Sequence, residues 1–165
     1  MNPFKKLLGQ TAIYGLSSVV GRLLNYLLVP LYTRYFLPEE YAIVVELYAY
    51  VAFLVIILTY GIETAFFRFT KTTADIKSVY STALYSVITT SCIFIALTFV
   101  YSSSLSNLLG SGVLTEYIEW FAIIVAFDAI SSIPFARLRK RERALQFSLI
   151  KLINISINIA LNLYF

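Results

Sequence analysis

The chain has 165 residues, of which 59% are hydrophobic and only 13% are charged, and it carries a formal net charge of +4. Soluble domains are typically about 45–50% apolar and about 25% charged, and a small globule cannot bury this much apolar surface. The composition therefore excludes an ordinary soluble domain and predicts that lipid is the solvent. Histidine is absent and there is one cysteine, so we expect neither a metal nor a haem cofactor.

Five apolar segments follow one another along the chain, each about long enough to cross roughly 30 Å of hydrocarbon. They predict transmembrane helices at residues 11–32, 41–66, 79–101, 117–135 and 144–165, which are called spans one to five below. Turn and glycine-rich residues separate several of them, as at 37–40 and 110–112. The sequence thus predicts an all-α membrane protein with a single transmembrane domain over 1–165. Because span five runs to the last residue without a polar tail, we expect a truncated chain whose natural form continues.

Basic residues alternate between the segments that flank the spans. Two precede span one, one lies between spans one and two, and three lie between spans two and three. None lies between spans three and four, and five lie between spans four and five, namely Arg137, Arg139, Lys140, Arg141 and Arg143. Cytoplasmic loops carry the excess of Lys and Arg, so the count predicts a multi-pass protein of the inner (cytoplasmic) membrane with a cytoplasmic N-terminus. A basic cluster between two apolar segments also argues against a nucleic-acid partner.

Six charged side chains lie within the predicted spans, and four of them are more than three residues from either end: Arg22, Glu46, Asp128 and Lys151. A charge at the centre of a span costs about 2.5–3.5 kcal/mol on insertion scales, so each one needs a partner, a hydrated cavity or a route to the interface. At about 1.5 Å per residue, Arg22, Asp128 and Lys151 reach similar depths. Asp128 can therefore neutralise either cation in a structural ion pair. If it takes one, the other is free to meet an anionic ligand.

Polar residues recur every three or four positions on spans one and five, which places each set on one helix face. On span one the set is Thr11, Gly15, Ser18, Arg22 and Asn25, and on span five it is Lys151, Asn154, Asn158 and Asn162. Small residues and amides can serve helix packing alone. A full row headed by a lysine instead indicates a hydrated path or a substrate groove. The predicted substrate-binding, cavity-lining residues are Arg22, Asn25, Asp128, Lys151, Asn154, Asn158 and Asn162.

Motifs of enzyme chemistry are missing from the sequence. It contains no glycine-rich phosphate loop, no GxSxG and no HExxH. We therefore expect that the protein is not an enzyme.

Three segments carry a resemblance to a known family: residues 9–18, Gly21-Arg22 with residues 28–33, and residues 61–69. They resemble the polysaccharide biosynthesis (O-antigen and capsule flippase) family of the MOP exporter superfamily. The likeness extends over essentially the whole chain and is strongest up to Phe69. Where relatives tend to have Glu-Tyr-Gly at the start of span two, this chain has Glu40-Tyr41-Ala42.

The resemblance implies a transporter of 12–14 helices in two lobes, of which this chain forms most of the first. Such a flippase moves undecaprenyl-pyrophosphate-linked oligosaccharide to the outer leaflet by alternating access. Its partners would be the bilayer, the lipid-linked oligosaccharide, the second lobe and the polysaccharide assembly machinery. Arg22 and Lys151 would then meet the pyrophosphate, and the asparagine row would bind sugar or phosphate.

Two other functions stay open. A MATE-like multidrug exporter of the same superfamily would be expected to carry a carboxylate in span one, where this chain has Arg22. A non-transporting membrane scaffold would use its intramembrane polar residues only to hold helices together.

Overall fold

The computed structural model describes residues 12, 15–16, 19–20, 23, 26, 28–30, 32–72, 75–109 and 114–164. Most of span one, including the predicted site residues Arg22 and Asn25, lies outside the described residues. The described positions from 12 to 35 are helical and are called the N-terminal helical segment. Five helices follow: α1 (Pro38–Thr59), α2 (Ile62–Thr72), α3 (Ile76–Leu109), α4 (Thr115–Lys140) and α5 (Ala144–Tyr164).

Four stretches of the described chain are long and apolar enough to cross a membrane. They are Pro38–Thr72, Ile76–Leu109, Thr115–Lys140 and Ala144–Asn162. The described residues contain helices and no strands, so the prediction of an all-α membrane protein is confirmed.

The starts of α1 and α3 show why the helices begin where they do. Pro38 occupies the first turn of α1, where its missing N–H costs nothing. The Glu40 carboxylate accepts a hydrogen bond from the Leu37 backbone N–H at 3.2 Å, as in a capping box. At α3, Asp75 Oδ1 accepts hydrogen bonds from the N–H groups of Lys77 and Ser78, both at 3.1 Å, and so satisfies two otherwise unpaired donors of the first turn.

α3 and α4 extend further than spans three and four, whereas α5 begins at residue 144 as predicted. α3 has 34 residues, about 51 Å of helix, whereas the hydrocarbon layer is about 30 Å thick. α4 continues past Pro134 to Lys140, beyond the predicted end at residue 135. Backbone hydrogen bonding does not depend on hydropathy, so a helix can continue past its apolar residues, and basic residues suit a helix C-terminus. Hydropathy therefore predicts where the apolar residues of a span end, and the helix itself can end several residues later.

Span two differs from its prediction as one helix over 41–66. α1 ends at Thr59, and the next two residues have positive φ, 33° at Tyr60 and 71° at Gly61. Left-handed backbone cannot continue a right-handed helix, and glycine tolerates it best. The chain then restarts as α2, which buries Phe66 and Thr70 and exposes Arg68 and Lys71.

The chain folds into two compact units. Ala42–Arg137 is called the central unit, and Met1–Tyr41 together with Leu138–Phe165 is called the terminal unit. The core of the central unit is built by α1, α3 and α4, and its fully or nearly fully buried residues are Val51, Leu58, Ala83, Val87, Val125, Ala129 and Ile133. The α4 face that packs in this core is rich in alanine, and these small side chains let helix backbones approach closely. Close packing matters in lipid because the hydrophobic effect does not drive helices together there.

The terminal unit contains the N-terminal helical segment and α5. Leu28, Ala144 and Phe147 are buried within it. The Tyr32 ring lies 6.1 Å from the Phe36 ring and 6.3 Å from the Tyr41 ring, measured between centroids. Among the described residues, this unit carries four of the predicted site residues, all on α5.

Candidate functional site

The polar row of α5 lies on one side of that helix, as its spacing predicts. At 3.6 residues per turn, Lys151, Asn154, Asn158 and Asn162 fall within an arc of about 80° and extend over about 16 Å of the helix axis. Lys151 and Asn162 are half-buried, whereas Asn154 and Asn158 are exposed. After Ser148, none of the α5 residues whose burial is described is buried. The exposed members of the row, Asn154 and Asn158, therefore need a polar surrounding that the described part of the chain provides only in part.

Asn162 has its hydrogen-bonding capacity taken up by protein. Its Oδ1 accepts a hydrogen bond from the Tyr32 hydroxyl at 2.6 Å. Its Nδ2 donates to the Asn158 carbonyl oxygen at 2.8 Å and to Asn158 Oδ1 at 3.1 Å. Asn162 thus joins α5 to the N-terminal helical segment, 130 residues away in sequence. This end of the row is structural.

The other asparagines keep free polar groups. Within the described residues, the Asn154 amide has no hydrogen-bond partner, and the Asn158 amide uses only its oxygen, as an acceptor from Asn162. Lys151 likewise has no carboxylate partner among these residues. These three side chains can donate to a ligand without breaking an existing bond.

One aromatic ring holds two cations near the start of α5. Lys151 Nζ lies 5.1 Å from the centroid of the Phe147 ring, and the Arg139 guanidinium carbon lies 5.9 Å from the same centroid. A cation over a ring face is worth about 0.5–1 kcal/mol when exposed and about 2 when desolvated. Phe147 therefore keeps two positive charges at the head of the polar row, where an anion would benefit from both.

Asp128 belongs to the central unit, near the middle of α4. Its side chain is exposed, although its neighbour Ala129 is fully buried. Among the described residues it has neither a hydrogen bond nor an ion pair. Pairing of Asp128 with Arg22 or Lys151 stays a prediction, because Arg22 lies outside the described residues and Lys151 belongs to the other unit.

Two contacts at this site were not predicted from the sequence. Tyr32 has the position of an interfacial aromatic at the end of span one, and no local signal points to a partner as distant as Asn162. The Phe147 ring likewise looks like any apolar position, although its spacing of four from Lys151 was a usable signal. Outside this site, the same spacing of four residues on α1 accounts for a hydrogen bond in which the Tyr50 hydroxyl donates to Glu46 Oε1 at 3.0 Å.

The basic connection between α4 and α5 is ordered by local contacts. The Arg137 guanidinium carbon lies 4.3 Å from the centroid of the Tyr80 ring in the central unit. In the terminal unit, the N–H groups of Glu142 and Arg143 donate to the carbonyls of Arg139 and Leu138 at 3.0 and 3.1 Å, which closes the end of α4. The basic residues of this connection thus stand at a defined helix end.

The apolar helices define the class of the molecule: it is a multi-pass helical membrane protein. Within that class, the family model described as "Polysaccharide biosynthesis protein" matches residues 31–165. The chain therefore belongs to the polysaccharide biosynthesis protein family, which confirms the resemblance seen in the sequence. The match includes Asp128 and the whole α5 row, whereas Arg22 and Asn25 precede it. No curated protein and no solved structure matches the chain significantly.

Proposed function

We propose that this protein is a flippase that moves undecaprenyl-pyrophosphate-linked oligosaccharide across the cytoplasmic membrane, for O-antigen or capsule assembly. The family supports a role in polysaccharide biosynthesis, and the α5 row supports transport as the form of that role. The observation that carries the proposal is the set of unpartnered donors on Lys151, Asn154 and Asn158 in a helix that is apolar enough to cross a membrane.

The chemistry of the row suits a ligand that is both anionic and rich in hydroxyl groups. The Lys151 ammonium, with Arg139 on the same Phe147 ring, offers positive charge to a pyrophosphate. The amides of Asn154 and Asn158 can donate to sugar oxygens and accept from sugar hydroxyls. Because hydrocarbon satisfies none of these groups, the row favours a hydrated path over a surface that faces lipid.

In this proposal the protein binds and moves its substrate without making or breaking a covalent bond, so it is not an enzyme. The N-terminus and the basic connection between α4 and α5 lie on the cytoplasmic side, as the positive-inside rule predicts. The lipid-linked substrate enters from that side, near Arg139 and Lys151, and its head group passes along the asparagines.

The proposal is tested by replacing one amide side chain of the row with an apolar side chain that also favours a helix. Asn158→Leu, in the full-length protein, removes the amide that lies midway along the row; its Nδ2 has no partner among the described residues, and its Oδ1 accepts from Asn162. Loss of one hydrogen bond of about 1.4 kcal/mol predicts a fall of about tenfold in the export of surface polysaccharide. The matched control is Ile157→Leu, which produces the same residue at an adjacent exposed position and should leave export unchanged.

Export is measured as surface glycan in cells that express equal amounts of each variant in the membrane. It is then measured as the transfer of labelled lipid-linked oligosaccharide across proteoliposome membranes. Export by Asn158→Leu at the level of the control would contradict a role for the row in substrate passage.

A membrane scaffold is the second candidate, and the hydrogen bond between Tyr32 and Asn162 favours it, since that bond joins two helices. A scaffold would give no protein-dependent transfer of the labelled lipid in proteoliposomes. In cells it would still support polysaccharide synthesis after Asn158→Leu, provided that the Tyr32–Asn162 bond is intact.

A further inference from the structure

The central unit contains an apolar cavity of 360 Å³ between α1, α3 and α4. Leu47 and Leu54 line it from α1, Phe94 and Leu105 from α3, and Phe121 and Ala122 from α4. This volume lies in the usual range of small-molecule sites, about 300–1,000 Å³. The cavity shares no residue with the polar row of α5.

The chemistry of the cavity wall points to hydrocarbon as its occupant. None of the residues that line it is charged, and the wall carries two side-chain hydroxyls, those of Tyr50 and Thr98. Each donates elsewhere: the Tyr50 hydroxyl to Glu46 Oε1 at 3.0 Å, and Thr98 Oγ1 to the Phe94 carbonyl at 2.9 Å. A water molecule needs about two to four polar partners, whereas the lining side chains offer it no donor and only the acceptor lone pairs of these two hydroxyls, so the cavity disfavours water.

The position of the cavity along the helices places it at the depth of lipid chains. Leu47 and Leu54 lie about 14 and 24 Å along α1 from Pro38, and Ala122 lies about 10 Å along α4 from Thr115. Both helices belong to stretches that can cross a membrane. Phe53, which also lines the cavity, is 72% exposed, so one side of the cavity wall reaches the surface of the unit.

We propose that this cavity is a binding site for one acyl chain of a bilayer phospholipid. Phospholipid chains surround the exposed Phe53 at very high local concentration, so even a weak site fills by mass action. The gain is van der Waals contact rather than a hydrophobic effect, because the chain leaves one apolar medium for another. The wall contains no group that would select a particular head group, which fits the most abundant lipid.

The site is tested by photo-crosslinking in the full-length protein, reconstituted in phosphatidylcholine bilayers. The probe is a phosphatidylcholine with a diazirine in the middle of one acyl chain, and adducts are mapped by mass spectrometry. We expect adducts on Phe94 and Phe121 above the level found on Ile56, which is exposed and does not line the cavity. Adducts spread evenly over exposed apolar residues would overturn the proposal.

A pair of matched variants gives the control. Ala122 is 3% exposed, so Ala122→Phe fills the cavity and should abolish the adducts on Phe94. Ala52→Phe adds the same ring at an exposed position of α1 outside the cavity and should leave them unchanged. If Ala122→Phe does not fold, Leu105→Phe takes its place, with the same loss expected.

Two results would refute the assignment. One is undiminished labelling of Phe94 in a folded variant whose cavity is filled. The other is displacement of the probe by polyprenyl phosphate but not by an equal amount of unlabelled phosphatidylcholine, which would make the cavity a site for an isoprenoid chain. Neither result bears on the export measured for Asn158→Leu, so this site and the proposed function fail separately.

Discussion

The hydrogen bond between Tyr32 and Asn162 allows a sharp test of which polar residues are structural. It joins the N-terminal helical segment to α5 at 2.6 Å, and the acceptor amide is held in place by two further contacts to Asn158. The perturbation is a double-mutant cycle of Tyr32→Phe and Asn162→Leu. Tyr32→Phe removes the hydroxyl and keeps the ring, and the cycle isolates the coupling between that hydroxyl and Asn162.

The expected size follows from the geometry. Hydrogen bonds between membrane helices average about 0.6 kcal/mol and reach about 1.7 kcal/mol. This bond is short and its acceptor is already ordered, so we expect a coupling free energy of about 1 kcal/mol, or about fivefold in the unfolding equilibrium constant. Asn162→Leu should cost more than Tyr32→Phe, because it also removes the two contacts to Asn158.

The assay is reversible unfolding in mixed micelles with an increasing fraction of denaturing detergent, followed by the loss of helical circular dichroism. A coupling below about 0.3 kcal/mol, the usual error of additivity for independent sites, would refute the reasoning. Export gives a second readout, since Tyr32→Phe should leave it intact. Loss of export at unchanged stability would mean that the Asn162 end of the row belongs to the substrate path.

Three other substitutions can be tested in the same unfolding assay. Gly61→Ala should destabilise the protein by about 1 kcal/mol, because φ is +71° there while an added Cβ meets nothing within 4 Å, so only backbone strain contributes. Gly15 lies in helical backbone with equally open space, so Gly15→Ala should instead stabilise the protein by up to about 1 kcal/mol. Equal effects of the two substitutions on stability would contradict the left-handed turn at Gly61. Arg137→Gln should cost about 0.5–2 kcal/mol through the lost contact with the Tyr80 ring. In a protein that already carries Tyr80→Leu, Arg137→Gln should cause no further loss of stability. A loss of the same size in that background would mean that Arg137 is stabilised by a different partner.

Much of the architecture was predictable from local sequence. Lipid as the solvent follows from composition, because no soluble fold of this size can bury so much apolar surface. The α5 row follows from spacing alone, since positions three and four apart on a helix share a face whatever surrounds them. The start of α1 was predicted only to within three residues, at 41 instead of Pro38, because residues assigned to a turn at 37–40 form the cap and first turn of the helix.

Only the tertiary structure showed which groups of the site are already used. Spacing treats Asn154, Asn158 and Asn162 as equivalent, yet Asn162 is engaged by a tyrosine 130 residues away. Hydropathy likewise reads 41–66 as one span, because a left-handed turn at Gly61 changes backbone dihedrals without changing apolar content. Sequence periodicity predicts the helix face on which a side chain lies. The partner of that side chain depends on residues that the fold brings together from distant parts of the chain. The same holds for the cavity between α1, α3 and α4.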